Sequence, residues 1–391
     1  MIASSARSLR SLALVCALGT AALTSFAARA DAPKELDEEV KALFHVAACD
    51  GQNTDARFDK AVVDEHCADL AKIMARYKKE WLAPARPFFD ELVPKGIPTT
   101  VVYPFAGGDL MTALAVFPNL TDITTISLEA GGDARGIFRE DKKALKKHLA
   151  LHRRFINELV EWNHNRTLDL AALKSTPLAS QLIFALVGLS VHGFEPVGLR
   201  SITLEKDGSI HYLTEKEFAA YDKQLDGKSG GVKNRALNDL LASYELRFRK
   251  KGETTVRTYR HFQQNLANDE LAKDPRILKY LDTKGKVTAM TKAASHLLWH
   301  GAFKTIREWL KDHMQWMVSD STGILPIHLD ATKWEQLTYG TFDTAVFNPS
   351  TEGQKAMRAL FASQPKRTLP MKLFGYPMKS VKGFLMVTRP K

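Results

Sequence analysis

Apolar positions recur at helical spacing from Lys34 to about Leu92. Leu36, Val40, Leu43, Phe44 and Ala47 make one stripe, and Leu70, Ile73, Met74, Tyr77 and Trp81 make a second. Pro84, Pro87, Pro94 and Pro98 punctuate the stretch from 84 to 98, around a third short helix over 86–92. At Thr99 the period changes. Residues 99–106 (TTVVYPFA) are β-rich, Gly107-Gly108-Asp109 breaks the run, and 110–117 reads as a helix ending at Pro118. A second β-run, 122–129, closes on Ala130-Gly131-Gly132. Strand, glycine turn, helix and strand compose a βαβ unit, and strands apolar on both faces suit a buried parallel sheet.

Long helices are predicted over 140–162 and 178–191, then a strand over 196–204 folded by Lys206-Asp207-Gly208 onto 209–213. Segments 244–249 and 254–259 alternate and flank a turn, as an antiparallel hairpin does. A long helical region is expected over 289–310. After it, 315–318 reads as a strand pairing with 324–329 across the turn 320–323, and 383–388 as the last strand. No internal repeat is visible. The pattern predicts an α/β fold, with a Rossmann-like βαβ parallel core (96–391), an antiparallel strand extension and an N-terminal helical cap (31–95).

The first thirty residues fit neither cap nor core. Arg7 and Arg10 precede a short apolar run, 12–24, and Ala28-Arg29-Ala30 offers small residues for a signal peptidase. We therefore expect 1–30 to be a leader cleaved after Ala30, and a mature chain that works in a periplasm or outside the cell. Val15 before Cys16 does not suit a lipoprotein cysteine. Cys49 and Cys67 then remain, and an oxidising compartment favours a disulfide between them over two buried free thiols. Their spacing, even with His45 and His66 nearby, matches no common zinc site, so no metal is expected.

Composition changes little in this picture. The chain is 45% hydrophobic and 25% charged, as soluble globules are, and its 391 residues carry a formal charge of +11. Losing Arg7, Arg10 and Arg29 with the leader leaves +8. The densest basic spots, Lys142-Lys143 with Lys146-Lys147 and 247–251, lie in amphipathic elements. Nucleic acid is thus not an expected partner, and an anionic envelope surface suits slightly better.

Candidate chemistry centres on the first βαβ unit. Tyr103, Gly107, Gly108 and Asp109 fall where a parallel sheet presents its carboxyl edge, and glycines there admit a ligand close to the backbone. Glu129, twenty residues after Asp109, occupies the position from which a carboxylate reaches a ribose diol in Rossmann-like proteins. The expected ligand is a small molecule or an envelope component. Neither the GxGxxG fingerprint nor a methyltransferase glycine pattern is present, and secretion removes a protein from nucleotide pools, so no cofactor is expected. The alternatives are a non-catalytic envelope protein, in which Asp109 only caps its helix and Glu129 faces solvent, and a methyltransferase-like enzyme. No catalytic residue can be named. There is no GxSxG, Ser321 in Asp-Ser-Thr-Gly has no second copy, and His296 with His300 lacks the glutamate of a zincin. His152 and His164 read as solvated, and Trp299, Trp309 and Trp316 as core and rim of one helical layer.

The same stretch carries a resemblance. Tyr-Pro-Phe-x-Gly-x-Asp, then Phe117-Pro118-Asn119, then Leu128-Glu129, is similar to the core of a family of secreted bacterial proteins of unassigned activity. The segments 292–298 and 320–324 resemble it too, and the likeness runs from about Ile97 to the C-terminus. Ser127 stands where those relatives would carry glycine. The resemblance implies a shared fold and an extracytoplasmic setting, and no known reaction.

Overall fold

The computed structural model describes residues 32–51, 55–162, 170, 173, 177–225, 240–320, 323–342, 351–371 and 383–391. Residues 1–30, expected to be a leader and including Cys16, lie outside them, as do His164 and Ser321. Helices α1 (Asp37–Val46), α2 (Lys60–Tyr77) and α3 (Ala83–Leu92) come first, with a π-helical turn, Lys78–Leu82, joining α2 to α3. Asp59 starts α2 by accepting a hydrogen bond from the Val62 amide, 3.1 Å.

Strand β1 (Thr100–Pro104), helix α4 (Leu110–Val116) and strand β2 (Asp122–Ser127) form the βαβ unit, the strands parallel with Val102 opposite Thr124. All seven α4 residues are buried, so packing rather than propensity holds this short helix. Helices α5 (Lys142–Trp162) and α6 (Ser180–Val191) come next. Then come β3 (Phe194–Leu204), β4 (Ile210–Tyr212), α7 (Glu215–Leu225), β5 (Ser243–Lys250) and β6 (Val256–Gln263). The chain continues through α8 (Asn268–Lys273), α9 (Arg276–Asp282), β7 (Val287–Thr291), α10 (Lys304–His313) and β8 (Met314–Ser319). It ends with β9 (Trp334–Gly340), α11 (Thr351–Ser363) and β10 (Phe384–Pro390).

The strands make one ten-stranded mixed sheet, ordered β4-β3-β5-β6-β2-β1-β7-β8-β10-β9. Five central neighbours, β6, β2, β1, β7 and β8, are mutually parallel. The flanks, β3 to β5 on one side and β9 with β10 on the other, join antiparallel. One face packs Val101, Tyr103 and Ile123 against α1 to α6 in a single core. The other packs Val102, Ile126 and Ala289 against α8, α9 and α10. The N-terminal helices therefore share their core with the sheet.

Several expectations from the sequence are corrected. Residues 289–310 are not one helical region: β7 takes 287–291 and lies directly beside β1, and 3-10 turns Ala293–Trp299 and Gly301–Phe303 precede α10. Residues 324–329 do not pair with β8; they hold a 3-10 turn, Pro326–His328, and β8 pairs with β10. His152 is fully buried rather than solvated. Trp299, Trp309 and Trp316 sit in three separate hydrophobic clusters, the last on a strand.

Candidate functional site

Tyr103 lies near the end of β1 on the face covered by α4 and α6, and its hydroxyl donates to Asp109 Oδ2 at 3.1 Å. Asp109 is the N-cap of α4: its Oδ1 accepts from the Thr112 amide at 3.1 Å and the Thr112 hydroxyl at 2.7 Å. Lys292, just past β7, reaches the same carboxylate, Nζ to Oδ2 2.5 Å, and also donates to the Thr112 hydroxyl at 3.1 Å. Both side chains of the pair are buried. Four protein donors use about all the acceptor capacity of one carboxylate. Asp109 therefore ties β1, α4 and β7 together, and the α4 N-terminus has no vacancy for an anion.

The turn between Tyr103 and Asp109 is tightly specified. Phe105 sits at φ 61°, in the left-handed region that a bulky residue enters at a cost of roughly 1–2 kcal/mol. Its ring meets Phe303 edge-on at 5.7 Å. Gly107, at φ 56°, needs no side chain for that conformation. Gly108 is needed for proximity: a Cβ there would lie 2.7 Å from the Gln181 carbonyl oxygen. Helix α6 thus covers the turn closely.

Glu129 is placed differently. It lies two residues beyond β2 and is 9% exposed, yet its carboxylate receives no hydrogen bond from any described residue. The surrounding backbone is fixed. The Glu129 carbonyl accepts from His261 Nε2 at 2.8 Å, and its amide donates to Ser127 Oγ at 3.2 Å. His261, on β6, takes the Thr125 hydroxyl at Nδ1, 3.2 Å, and stacks on Tyr244 with centroids 5.4 Å apart. Burial holds its pKa below the usual histidine value, against the opposing pull of backbone hydrogen bonding to Glu129 and Gly107, so the ring is neutral. His261 thus ties the turn beyond β2 to strand β6.

Gln181, in the first turn of α6, completes the enclosure and was not foreseen. It is 1% exposed and its Oε1 has no hydrogen-bond partner. That oxygen lies 3.5 Å from where a Cβ on Gly107 would stand, and apart from the glycine and its two chain neighbours no other atom would lie within 4 Å of that point. Space therefore adjoins an unsatisfied buried acceptor. The signal in the sequence was a lone amide in SQLIFALVGLSV, a helix otherwise almost wholly apolar. Lys292 was hidden because the strand before it was.

The other candidates resolve simply. Cys49 and Cys67 form a disulfide, Cα to Cα 5.3 Å. The His296 and His300 rings stand 6.4 Å apart, and no group of three or more potential metal ligands occurs among the described residues. A cavity of about 140 Å³ beside α1 is lined by Glu38, Lys41, His45, Asp55, Arg57 and Phe58 among others, and Arg57 is paired with both Glu38 and Asp55. Lys142 and Lys146 pair with Asp59 and Glu65, which dilutes the basic face of α5. Among the described residues no helix is long and apolar enough to cross a membrane. No protein-family model, curated protein or solved structure matches the chain.

Proposed function

We propose that this is an exported protein that binds a small ligand at the carboxyl edge of its sheet, between the turn at 105–109 and the turn at 128–133. The carrying observation is the Glu129 carboxylate at the end of β2, nearly buried and without a hydrogen bond from any described residue. Strand order supports the location. Counted in chain order, the five parallel strands run 3-2-1-4-5, the Rossmann-like order in which the crevice opens beside strand 1, at the carboxyl ends. The leader pattern at 1–30 and the Cys49–Cys67 disulfide support export.

Asp109 has a supporting role in this reading. Its four donors leave it nothing to offer a ligand, so it positions the turn while Glu129 makes contact. A capped, seven-residue α4 also argues against a phosphate at this turn. The reading is tested by thermal unfolding against nucleotides, sugars, peptides and envelope lipids. A ligand that raises the wild-type melting temperature and has no effect on Glu129→Ala is expected. If no ligand's shift depends on Glu129, the site reading fails and a non-catalytic envelope protein takes its place.

One observation favours a second reading, a methyltransferase-like enzyme. The last strand, β10, enters antiparallel between β8 and β9, an order that many S-adenosylmethionine-dependent methyltransferases share. The missing glycine fingerprint and the exported setting weigh against it. S-adenosylhomocysteine discriminates: a Glu129-dependent shift at micromolar concentration establishes the second reading, and its absence removes it.

A further inference from the structure

The Gln181 amide has no evident structural duty. It lies inside the protein on α6 with its oxygen unpaired, whereas Tyr103, Asp109 and Thr112 beside it are hydrogen-bonded to one another. Buried acceptors without a partner are costly, and native proteins keep them where something else binds. Leucine would fit a helix of this composition better. The space beside Gly107, where Gln181 Oε1 is the one atom from outside the turn within 4 Å of a built Cβ, is where such a partner would sit.

We infer that Gln181 is a specificity-determining residue of the proposed site, its Oε1 accepting a hydrogen bond from a neutral, hydroxyl-rich ligand of the sugar or polyol class. The inference rests on the reading of Glu129 as the ligand-binding carboxylate. The chemistry of the two groups selects the ligand class. Glu129 and Gln181 Oε1 both accept, so the ligand must donate, and a molecule with several hydroxyls supplies donors at both ends. Anions are disfavoured, because Lys292 is committed to Asp109 and Asp109 already caps α4. Gly107 leaves the approach open, and an alanine there would occupy the space the hydroxyl needs.

The test uses the mature chain with D-ribose, D-glucose and myo-inositol as probes and ribose 5-phosphate as the anionic control. At a hundredfold excess over Kd, binding should raise the melting temperature of a chain this size by about 4 °C. At least one polyol is expected to do so in the wild type, while ribose 5-phosphate does not. Gln181→Leu should lose that shift and melt, without ligand, at or above the wild-type temperature, since it removes an unpaired buried acceptor. Gly107→Ala serves as the second variant, expected to weaken binding by filling the space. A Gln181→Leu protein that melts lower without ligand and binds normally means that Oε1 holds a structural water, which overturns the inference. A polyol shift lost in Glu129→Ala but kept in Gln181→Leu overturns it while sparing the Glu129 reading. No shift with any of the three polyols also overturns it, and any Glu129-dependent shift with another ligand then still upholds that reading.

Discussion

The Asp109–Lys292 pair commits an acidic residue at the carboxyl edge of the sheet to contacts within the protein. In sequence, Asp109 is the acidic end of a glycine turn at a sheet edge. In the fold it is a buried carboxylate with donors from Thr112, Tyr103 and Lys292. Removing one member of a buried pair strands the other, at about 3–5 kcal/mol. Asp109→Asn is therefore expected to lower the urea midpoint of the ligand-free protein by an amount equivalent to about 3 kcal/mol. Asp109→Asn combined with Lys292→Met should recover much of the loss, because the stranded ammonium is gone. An Asp109→Asn protein of unchanged stability that no longer binds ligand would return Asp109 to the contact role. Glu129, whose carboxylate takes no hydrogen bond from the described residues, should show the opposite pattern: Glu129→Ala leaves the midpoint nearly unchanged and removes ligand protection.

Elements differ in how openly the sequence declares them. β1 and β2 were legible because each is a β-branched run bounded by glycine or proline, and α5 because its apolar stripe is regular. β7 was not. Its five residues, VTAMT, are all buried, so no alternation shows, and Ala289, Met290 and the adjoining AASHLL favour a helix locally. Only its place between β1 and β8 makes it a strand. The same holds for β9, whose pairing comes from residues nearly fifty positions away. The N-terminal helices and α5 give two predictions at this scale. The Cys49–Cys67 bridge spans 18 residues, and its reduction should cost about 3 kcal/mol on the chain-entropy account. Denaturation with and without reductant measures it, and equal midpoints would deny the bridge a stabilising role. His66 on α2 and His152 on α5 are buried, each pushed down to about 4 chiefly by desolvation. Arg153 faces His66 at 3.0 Å, with Asp69 beside it, and His148 neighbours His152. The unfolded chain takes up these protons near the ordinary value of 6.5, while the folded chain resists until about 4. Stability should therefore be full above about pH 6.5 and decline progressively toward pH 4, on the order of a few kcal/mol in total. His66→Gln with His152→Gln should reduce that slope, the remainder coming from His192, which burial pushes down to about 3; an unchanged slope would place the titration elsewhere.

Across the whole molecule, one sheet joins a parallel centre to antiparallel flanks, and the two ends of the chain finish it in different ways. At the N-terminus the prediction is export: protein recovered from the cell envelope should begin at or near Asp31 and show no free thiol before reduction. An intact Met1 by mass spectrometry would contradict it. At the C-terminus, β10 carries structural weight out of proportion to its length. It pairs with β9 along seven positions, from Phe384 opposite Gly340 to Pro390 opposite Trp334, and with β8 along three. Leu385 and Val387 reach one core, and Met386 another. The far edge of β9 is already covered, because Gln364 and Arg367 donate to the carbonyls of Gln336 and Thr338. The sheet is thus protected at its margin but depends on a strand contributed last. Deleting 384–391 would leave β8 with a bare edge and β9 without a partner, both rich in apolar residues, which is the condition for intermolecular strand pairing. Such a truncation is expected to lose the cooperative thermal transition and to aggregate. Removing Pro390 and Lys391 alone, which gives up the terminal Pro390–Trp334 pair and the Lys391 to Lys333 backbone bond, should shift melting by no more than about 2 °C. A soluble, cooperatively melting protein lacking 384–391 would mean that β8 and β9 can close the sheet without β10. In that case the order of strands on this side would not be what holds the carboxyl edge, and the site built on it, in place.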